Sequence, residues 1–295
     1  MLASGERAME RAARQNLAAP LRTALAPMTD TVGTKGKVFL VGAGPGDPGL
    51  LTIEALRLLQ TADVVFHDDL VSPAILALIP EPVHVENVGK RCGYARVGQP
   101  QIHSLMINAA REGWSVVRLK AGDPLVFGRA GEEIEALREA GIECAVVPGI
   151  TAAFGAAARV GIPLTDRRLA SKLVFLSNHQ CARKAPQFGE GTISQDTTAL
   201  IYMPGAEYEE LAARLCEQGF DPETPCLLVS QATTAQEQVH LTSVAGLAGA
   251  PRLAAPVVVI AGAVAAGYLS RPTEFTRSNQ DAGPGLHLEL AGLRP

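Results

Sequence analysis

The chain has 295 residues, enough for two ordinary domains, and its hydrophobic residues (47%) are enough to form a sizeable core. The net charge of −4 argues against a nucleic-acid-binding surface spread over the whole protein, although it leaves room for a local basic pocket. The five cysteines contain no C-x-x-C pair, so they predict neither a disulfide framework nor a zinc site. The cysteines fit a reducing cytosol, and no apolar stretch reaches the length of a membrane span. We therefore expect a cytoplasmic protein without metal, membrane or nucleic-acid partners.

The two ends of the chain differ in composition from its body. Residues 1–35 mix Arg, Glu and Ala without the apolar segment of a secretory signal, and they predict only a weak helix over 6–25, broken at Pro20. Residues 271–295 are rich in Pro, Gly, Asn and Ser. We therefore predict a disordered tail over residues 1–35 and a second tail over 271–295.

Strands and helices alternate through the first half of the body. Strands are predicted at residues 37–42, 63–67, 83–88, 115–120 and 142–147. Helices are predicted at residues 50–61, 73–79, 101–112 and 131–140. Such alternation predicts a mostly parallel sheet with helices on both faces, so residues 36–147 are assigned to an N-terminal α/β domain. Ligands bind such sheets beyond the carboxyl ends of the strands.

After a hinge predicted at Pro148 and Gly149, strands outnumber helices. Strands are predicted at residues 172–177, 199–203, 226–230, 238–242 and 257–262, and helices at 151–160, 206–218 and 243–248. Neighbouring strands with few crossovers predict a mixed sheet. The predicted fold is α/β: two α/β domains, residues 36–147 and 148–270, with a cleft between them.

A glycine-proline turn at residues 42–49 follows the first strand and looks like a dinucleotide-binding fingerprint. The third small residue of that fingerprint is missing, because Asp47 stands in its place, and Pro45 has no N–H to offer a phosphate. No Walker phosphate loop follows the glycines. The turn predicts close approach of a ligand that is not polyanionic, or else a tight strand-to-helix turn without a ligand.

Polar residues also follow the other strands of the first half. Asp68 comes after the second strand, Lys90 and Arg91 after the third, and residues 121–129 after the fourth. Because these loops lie at carboxyl ends, we expect them to gather on one rim of the sheet. Plainer interpretations stay open, namely helix capping for Asp68 and Thr151, solvation for Lys90, turn chemistry for Asp123, an ion pair with Glu132 or Glu133 for Arg129 and core packing for Met203.

Together these loops resemble the tetrapyrrole methylase family, over about residues 37–264. The matching segments are VGAGPGDPGLLT (41–52), ADVVFHDDLVSP (62–73), VGKR (88–91), VVRLKAGDPLVFGRAGEE (116–133), VVPGITAA (146–153), GIPLTDR (161–167) and YMPG (202–205). The resemblance implies a homodimer that binds S-adenosyl-L-methionine in the inter-domain cleft. It also implies methylation of two pyrrole carbons of uroporphyrinogen III to give precorrin-2, in sirohaem or cobalamin-type biosynthesis.

The resemblance implies roles for single residues as well. Asp68 matches the family's proton acceptor and Lys90 its proton donor. Cofactor contacts carry over to Pro45, Ala121, Gly122, Asp123, Val126, Thr151, Ala152, Met203 and Ala232. The substrate is polyanionic, and a guanidinium group binds a carboxylate through two hydrogen bonds. The candidates for binding it are therefore Arg91, Arg96, Arg129 and Arg159.

Several positions depart from the family pattern. Ala121 replaces a glycine and adds only a methyl group, and Asp166 brings an anion near a polyanionic substrate. Asn178 replaces a glycine, and Pro204 is inserted between Met203 and a glycine. Two alternatives remain: a methylase acting on a later corrin-ring intermediate, and a non-catalytic binder of tetrapyrrole or S-adenosyl-L-methionine. The acidic charge disfavours a methylase acting on RNA, and from the length we expect a monofunctional methylase without the dehydrogenase and chelatase module that sometimes accompanies this activity.

Overall fold

A computed structural model describes residues 36–91, 94–95, 98–178, 193–205 and 207–270, without the side chains of 90, 91, 94, 95, 269 and 270. Both predicted tails, the helix predicted over residues 6–25 and Arg96 lie outside the described residues.

The first half of the described chain forms a parallel sheet, as predicted. In chain order its strands are β1 (Lys37–Gly42), β2 (Val64–His67), β3 (His84–Asn87), β4 (Lys90–Arg91), β5 (Tyr94–Ala95), β6 (Ser115–Lys120) and β7 (Glu143–Val147). Five of them form a sheet in the order β3-β2-β6-β1-β7, and every neighbouring pair in it is parallel. The short strands β4 and β5, which the periodicity does not predict, pair with each other antiparallel.

The helices begin where the sequence supplies caps. They are α1 (Ile53–Thr61), α2 (Pro73–Leu76), α3 (Gln99–Arg111), α4 (Ala130–Glu139), α5 (Ala152–Val160) and α6 (Tyr208–Glu217), and a 3-10 turn at Pro48–Leu50 precedes α1. The side chains of Thr52 and Ser72 accept hydrogen bonds from the first turns of α1 and α2. The interpretation of Asp68 as the cap of α2 is wrong, because Ser72 holds that position.

The second half forms a mixed sheet, also as predicted. Its strands are β8 (Lys172–Ser177), β9 (Thr197–Tyr202), β10 (Pro225–Ser230), β11 (Gln238–Ser243) and β12 (Val257–Ala261), in the order β11-β10-β12-β9-β8. Only β8 and β9 are parallel among the described pairs of this sheet. The helix predicted at 243–248 is a 3-10 turn at Ala245–Gly249, and a further 3-10 turn spans Ala263–Ser270.

Helices cover both faces of each sheet, which confirms the α/β class. Leu59 of α1 packs on one face of the parallel sheet, and Met106 of α3 with Leu137 of α4 packs on the other. In the mixed sheet, Leu215 of α6 lies in the core of one face, whereas Ala156 of α5 packs with the other. The domain boundary between residues 147 and 148 stays a prediction. None of the described helices has the length and apolar character needed to cross a membrane.

Candidate active site

The loops after β1, β6 and β7 lie at the carboxyl ends of the parallel strands and pack against one another at glycine residues. Gly44 and Gly122 exchange both backbone hydrogen bonds, at 3.1 Å and 2.8 Å, so the loops after β1 and β6 are paired. A Cβ added at Gly42 would lie 2.5 Å from the Gly149 nitrogen, and one added at Gly149 would lie 2.8 Å from the Gly42 Cα. No side chain fits at these positions, so the backbones pack directly against each other. The polar loops do gather at this end of the sheet, as the sequence predicts.

The Asp123 carboxylate joins two of these loops. Its Oδ1 accepts a hydrogen bond from the Leu125 N–H at 2.8 Å, which is ordinary turn chemistry. Its Oδ2 accepts a second one from the Gly149 N–H at 3.0 Å, across the gap between the loops after β6 and β7. Asp123 therefore sets the distance between two segments that carry predicted cofactor contacts.

The turn after β1 is attached to three other elements. Pro45 packs on Gly155 of α5, where an added Cβ would come within 2.7 Å of the Pro45 Cγ. The Asp47 N–H donates to the Thr233 hydroxyl at 3.1 Å, in the turn after β10. The Ser72 hydroxyl, at the start of α2, donates to the Gly46 carbonyl at 2.7 Å. This turn is therefore held by tertiary contacts on several sides.

Gly155→Ala tests the close packing of the turn on α5. We expect it to lower the free energy of unfolding by about 1–3 kcal/mol, because the new methyl group overlaps the Pro45 ring and the turn that carries Pro45 is held by hydrogen bonds to Thr233 and Ser72. The matched control is Gly131→Ala in α4, where an added Cβ has nothing within 4 Å. That change should stabilise the protein by about 0.5 kcal/mol through helix propensity. Urea unfolding measures both, and stabilisation by both substitutions would contradict the overlap.

The start of α5 is capped by a residue of the mixed sheet on which this helix packs. Thr151 occupies the N-cap position, but its side chain makes no capping hydrogen bond to the helix backbone. Instead the Tyr202 hydroxyl accepts from the Ala153 N–H at 3.2 Å and shares a 2.6 Å hydrogen bond with the Thr151 hydroxyl. Burial raises the pKa of Tyr202, so the phenol stays neutral. The sequence interpretation of Thr151 as the cap of α5 is confirmed for its position, but Tyr202 at the end of β9 supplies the hydrogen-bond acceptor.

Partly exposed apolar residues lie beside this contact, in strained backbone. Phe127 and Met203 have φ angles of 53° and 49° and are 42% and 44% exposed. The Phe127 ring lies 5.1 Å from that of Tyr202. Non-glycine residues rarely adopt positive φ angles, and such strain collects at functional sites. Core packing therefore does not fully explain the position of Met203, since nearly half of this residue is exposed to solvent.

A buried charged cluster lies next to Asp68, and the sequence reasoning missed it. Arg118 and Lys120 occupy alternate positions on β6, so both side chains lie on the same face of the sheet. Arg118 Nε donates to Glu133 at 3.1 Å, and Lys120 Nζ donates to both Glu133 oxygens at 3.0 and 2.9 Å. Arg118 Nη2 also donates to Asp68. Two cations spaced by two residues within a buried strand are the signal that predicts such a cluster.

Burial and neighbouring charges shift the pKa values of the two cations in opposite directions. Burial lowers the pKa of Lys120, and the neighbouring Arg118 charge lowers it further. Burial also disfavours the charged form of Arg118, but Asp68 and Glu133 outweigh that effect and raise its pKa. A cavity of about 270 Å³ opens over the cluster, lined by Asp68, Leu70, Lys120, Val126, Phe127 and Arg129 among others. The carboxylate of Asp68 thus lines the cavity and forms an ion pair with the buried guanidinium group of Arg118.

The predicted site residues fall into distinct groups. Asp68, Ala121, Val126 and Arg129 line this cavity. The other described cofactor candidates lie in the turn after β1, in the loop after β6, at the start of α5, directly after β9 and in the turn after β10: Pro45, Gly122, Asp123, Thr151, Ala152, Met203 and Ala232. Arg129 pairs with Glu132 at 2.6 Å, as the ion-pair interpretation predicts. The side chains of Lys90 and Arg91 lie outside the described residues.

Arg159 forms an ion pair with Glu237, in the loop between β10 and β11. Its Nε lies 3.2 Å from Oε1 of Glu237. The other oxygen of Glu237 accepts the Thr233 N–H at 2.6 Å. Thr233 has a φ of 67° and also receives the Asp47 N–H. Arg159 therefore supports the turn that contains Ala232 rather than lining the cavity.

The departures from the family pattern are partnered within the chain. The Asn178 amide donates to the Pro204 carbonyl at 2.7 Å, so two departures contact each other. Arg214 holds the Asn178 oxygen at 2.6 Å. Asp166 pairs with Arg168 at 2.9 Å, and hydrogen bonds from that side chain and backbone lower the pKa of Asp166 to about 2. The anion introduced by Asp166 thus has a counter-charge of its own.

The chain is similar in sequence and in structure to known proteins. The family model described as Tetrapyrrole (Corrin/Porphyrin) Methylases matches residues 37–248. Uroporphyrinogen-III C-methyltransferase of Paracoccus denitrificans is 49% identical over 236 residues, covering 78% of this chain and 82% of the relative. Siroheme synthase 1 of Halorhodospira halophila is 46% identical over 77% of this chain, which spans only 48% of that longer protein.

A solved structure matches at the level of the fold. The uroporphyrin-III C-methyl transferase from Thermus thermophilus complexed with S-adenyl homocysteine superposes with a TM-score of 0.70 and 37% identity. The match covers 79% of this chain and 100% of that one. The chain therefore belongs to the tetrapyrrole methylase family.

Proposed function

We propose that this protein transfers methyl groups from S-adenosyl-L-methionine to two pyrrole carbons of uroporphyrinogen III and so forms precorrin-2. The observation that carries the proposal is the convergence of three glycine loops beside a cavity that contains a carboxylate, Asp68. Relatives named for this activity support the same reaction.

The rim fits a cofactor that has no phosphate groups. When bound, S-adenosyl-L-methionine would supply a methyl group attached to its sulfonium sulfur. The S–CH3 bond would break as the substrate carbon bonds to the methyl group, and the leaving group would be the neutral thioether S-adenosylhomocysteine. Pro45 offers no N–H to a phosphate, and the glycines let the backbones of the three loops pack closely together beside the cavity. For its contacts we propose the nine candidates named from the sequence: Pro45, Ala121, Gly122, Asp123, Val126, Thr151, Ala152, Met203 and Ala232.

The protein's own chemical work is alignment and proton transfer. An electron-rich pyrrole carbon needs to be held in line with the methyl group, and holding it there removes much of the entropic barrier. As the ring tautomerises a proton leaves, and we propose that Asp68 accepts it and Lys90 donates one. The hydrogen bond from Arg118 fixes the direction of the Asp68 carboxylate.

A polyanionic substrate requires cations at the cavity. We propose Arg91, Arg96, Arg129 and Arg159 for its carboxylates, as the sequence predicts. Arg129 is the candidate with a described place on the cavity wall, where substrate carboxylates would compete with Glu132. Arg159 would have to release Glu237 to take part.

We further propose a cytoplasmic homodimer whose product serves sirohaem or cobalamin-type biosynthesis. The name of the siroheme synthase relative supports this use of the product. Light scattering should give twice the chain mass of 30.9 kDa. A particle of one chain mass would contradict the dimer.

Product mass tests the proposed reaction. The protein, S-adenosyl-L-methionine and uroporphyrinogen III are incubated anaerobically, and we expect the tetrapyrrole to gain two methyl groups. Turnover of a later corrin-ring substrate instead would support the alternative methylase. Cofactor binding without methyl transfer to any tetrapyrrole of the panel would support the non-catalytic binder.

Asp123→Ala should weaken cofactor binding more than Lys90→Ala does. The alanine leaves the Gly149 N–H without its 3.0 Å acceptor, so the loops after β6 and β7 lose their fixed spacing. We expect roughly a tenfold higher Kd for S-adenosylhomocysteine, the cost of about one hydrogen bond to a charged group. Lys90→Ala should leave that Kd within about twofold. Calorimetry measures both, and equal affinities would contradict the role of Asp123.

A further inference from the structure

The Tyr202 hydroxyl replaces the normal cap of α5. An N-cap threonine normally accepts a hydrogen bond from the second or third residue of its own helix. Here Ala153, the second residue of α5, donates to Tyr202 at 3.2 Å, and the Thr151 hydroxyl is itself bonded to Tyr202 at 2.6 Å. The geometry of this helix end is therefore decided by a residue 51 positions away along the chain.

The ring that carries this hydroxyl is fixed by its neighbours. Tyr202 is 9% exposed. Phe175 of β8 stacks on it with a centroid distance of 6.2 Å, and Phe127 lies against it at 5.1 Å. Aromatic pairs in these ranges add to the stability that burial alone provides. The hydroxyl therefore has a single well-defined position.

Tyr202 is also the last residue of β9, and the residue that follows it is Met203, a predicted cofactor contact. Tyr202 pairs with Ser177 on one side and with Val258 on the other, so its backbone belongs to the middle of the mixed sheet. The next residue, Met203, turns out of the strand with a positive φ of 49°. One residue thus joins Met203 through its backbone to Thr151 and Ala152 through its side chain.

We infer that Tyr202 is a positioning residue for the cofactor, which holds Thr151 and Ala152 at a set distance from Met203. The inference rests on the proposed function, since it takes those three residues as cofactor contacts. Tyr202 acts through them, and it is not assigned contact with the reacting atoms. Loss of its hydroxyl should therefore change cofactor affinity and leave the chemical step largely intact.

The test is Tyr202→Phe, with Tyr208→Phe as matched control. Tyr208 is similarly buried, at 5% exposed, and its hydroxyl bonds to the Leu253 backbone, but it packs on the opposite face of the mixed sheet. We expect Tyr202→Phe to raise the KM for S-adenosyl-L-methionine and the Kd for S-adenosylhomocysteine about tenfold, with kcat within about twofold. Tyr208→Phe should leave all three within about twofold, while both variants lose similar stability in urea.

The possible outcomes separate the inference from the proposed function. An unchanged cofactor KM and Kd in Tyr202→Phe would overturn the inference, and so would an equal change in Tyr208→Phe or a fall in kcat without a change in KM. Absence of S-adenosylhomocysteine binding or of methyl transfer in the unaltered protein would refute the proposed function instead. Normal binding by that protein, together with a selective affinity loss in Tyr202→Phe, supports both.

Discussion

Glu133→Ala is expected to lower the free energy of unfolding by about 3–5 kcal/mol, because it removes one partner from a buried ion cluster. Glu133 is fully buried and accepts hydrogen bonds from Arg118 and from Lys120, each of which is at most 3% exposed. Among the described anions that act on both buried cations, alanine at position 133 would leave Asp68. The pKa of Lys120 is already lowered by burial and by Arg118, so the loss of Glu133 would favour its neutral form further.

Urea unfolding, with Glu135→Ala as control, measures this effect. Glu135 lies in the same helix but is exposed, and its nearest approach to Arg138 is 3.9 Å. Its replacement should change stability by less than about 0.5 kcal/mol, as is usual for exposed ion pairs. Glu133→Gln, which keeps the shape and one acceptor oxygen, should fall between the two. Similar losses for Glu133→Ala and Glu135→Ala would show that the cluster contributes nothing beyond a surface pair.

Asp68→Asn is expected to lower kcat for methyl transfer about 10²–10⁴-fold, the usual contribution of a positioned general base. Asparagine has nearly the same shape and can still accept the hydrogen bond from Arg118, so the cluster and the fold should persist. It cannot accept a proton at neutral pH, which is the role proposed for Asp68. The affinity for S-adenosylhomocysteine should stay within about twofold, because the cofactor candidates at Thr151, Ala152 and Met203 lie on other loops.

The matched control for this substitution is Asp63→Asn. Asp63 precedes β2 at the opposite, amino-terminal edge of the sheet, where its carboxylate accepts the Ser115 N–H at 2.7 Å. Single-turnover transfer of a labelled methyl group should be nearly normal in Asp63→Asn and strongly reduced in Asp68→Asn. Near-normal transfer by Asp68→Asn would remove Asp68 from the reaction and leave it as a partner of Arg118 alone.

Much of the fold can be predicted from the pattern of apolar and polar residues a few positions apart in the chain. The bounds predicted for β1, β6 and β8 agree with the structure at both ends. These strands are short apolar runs ended by glycine or polar residues, and that signal is local. Parallel pairing follows from the alternation with helices, and it places the loops after β1, β6 and β7 at one end of the sheet. The same reasoning failed at residues 243–248, where the predicted α-helix is a 3-10 turn at Ala245–Gly249, and its two glycines weaken an α-helix in this segment.

The tertiary structure alone decided how the candidate site is held. Arg118 and Glu133 are 15 residues apart, Thr151 and Tyr202 are 51 apart, and Asp47 and Thr233 are 186 apart along the chain. The sequence by itself determined the α/β class, the motif-bearing loops and the sheet edge at which they lie, because helix and strand periods depend on residues a few positions apart. Which side chains pair at that edge depends on how the two sheets pack. Hydrogen bonds and ion pairs act over a few ångströms in space, so contacts between residues far apart in the chain cannot be predicted from local sequence patterns.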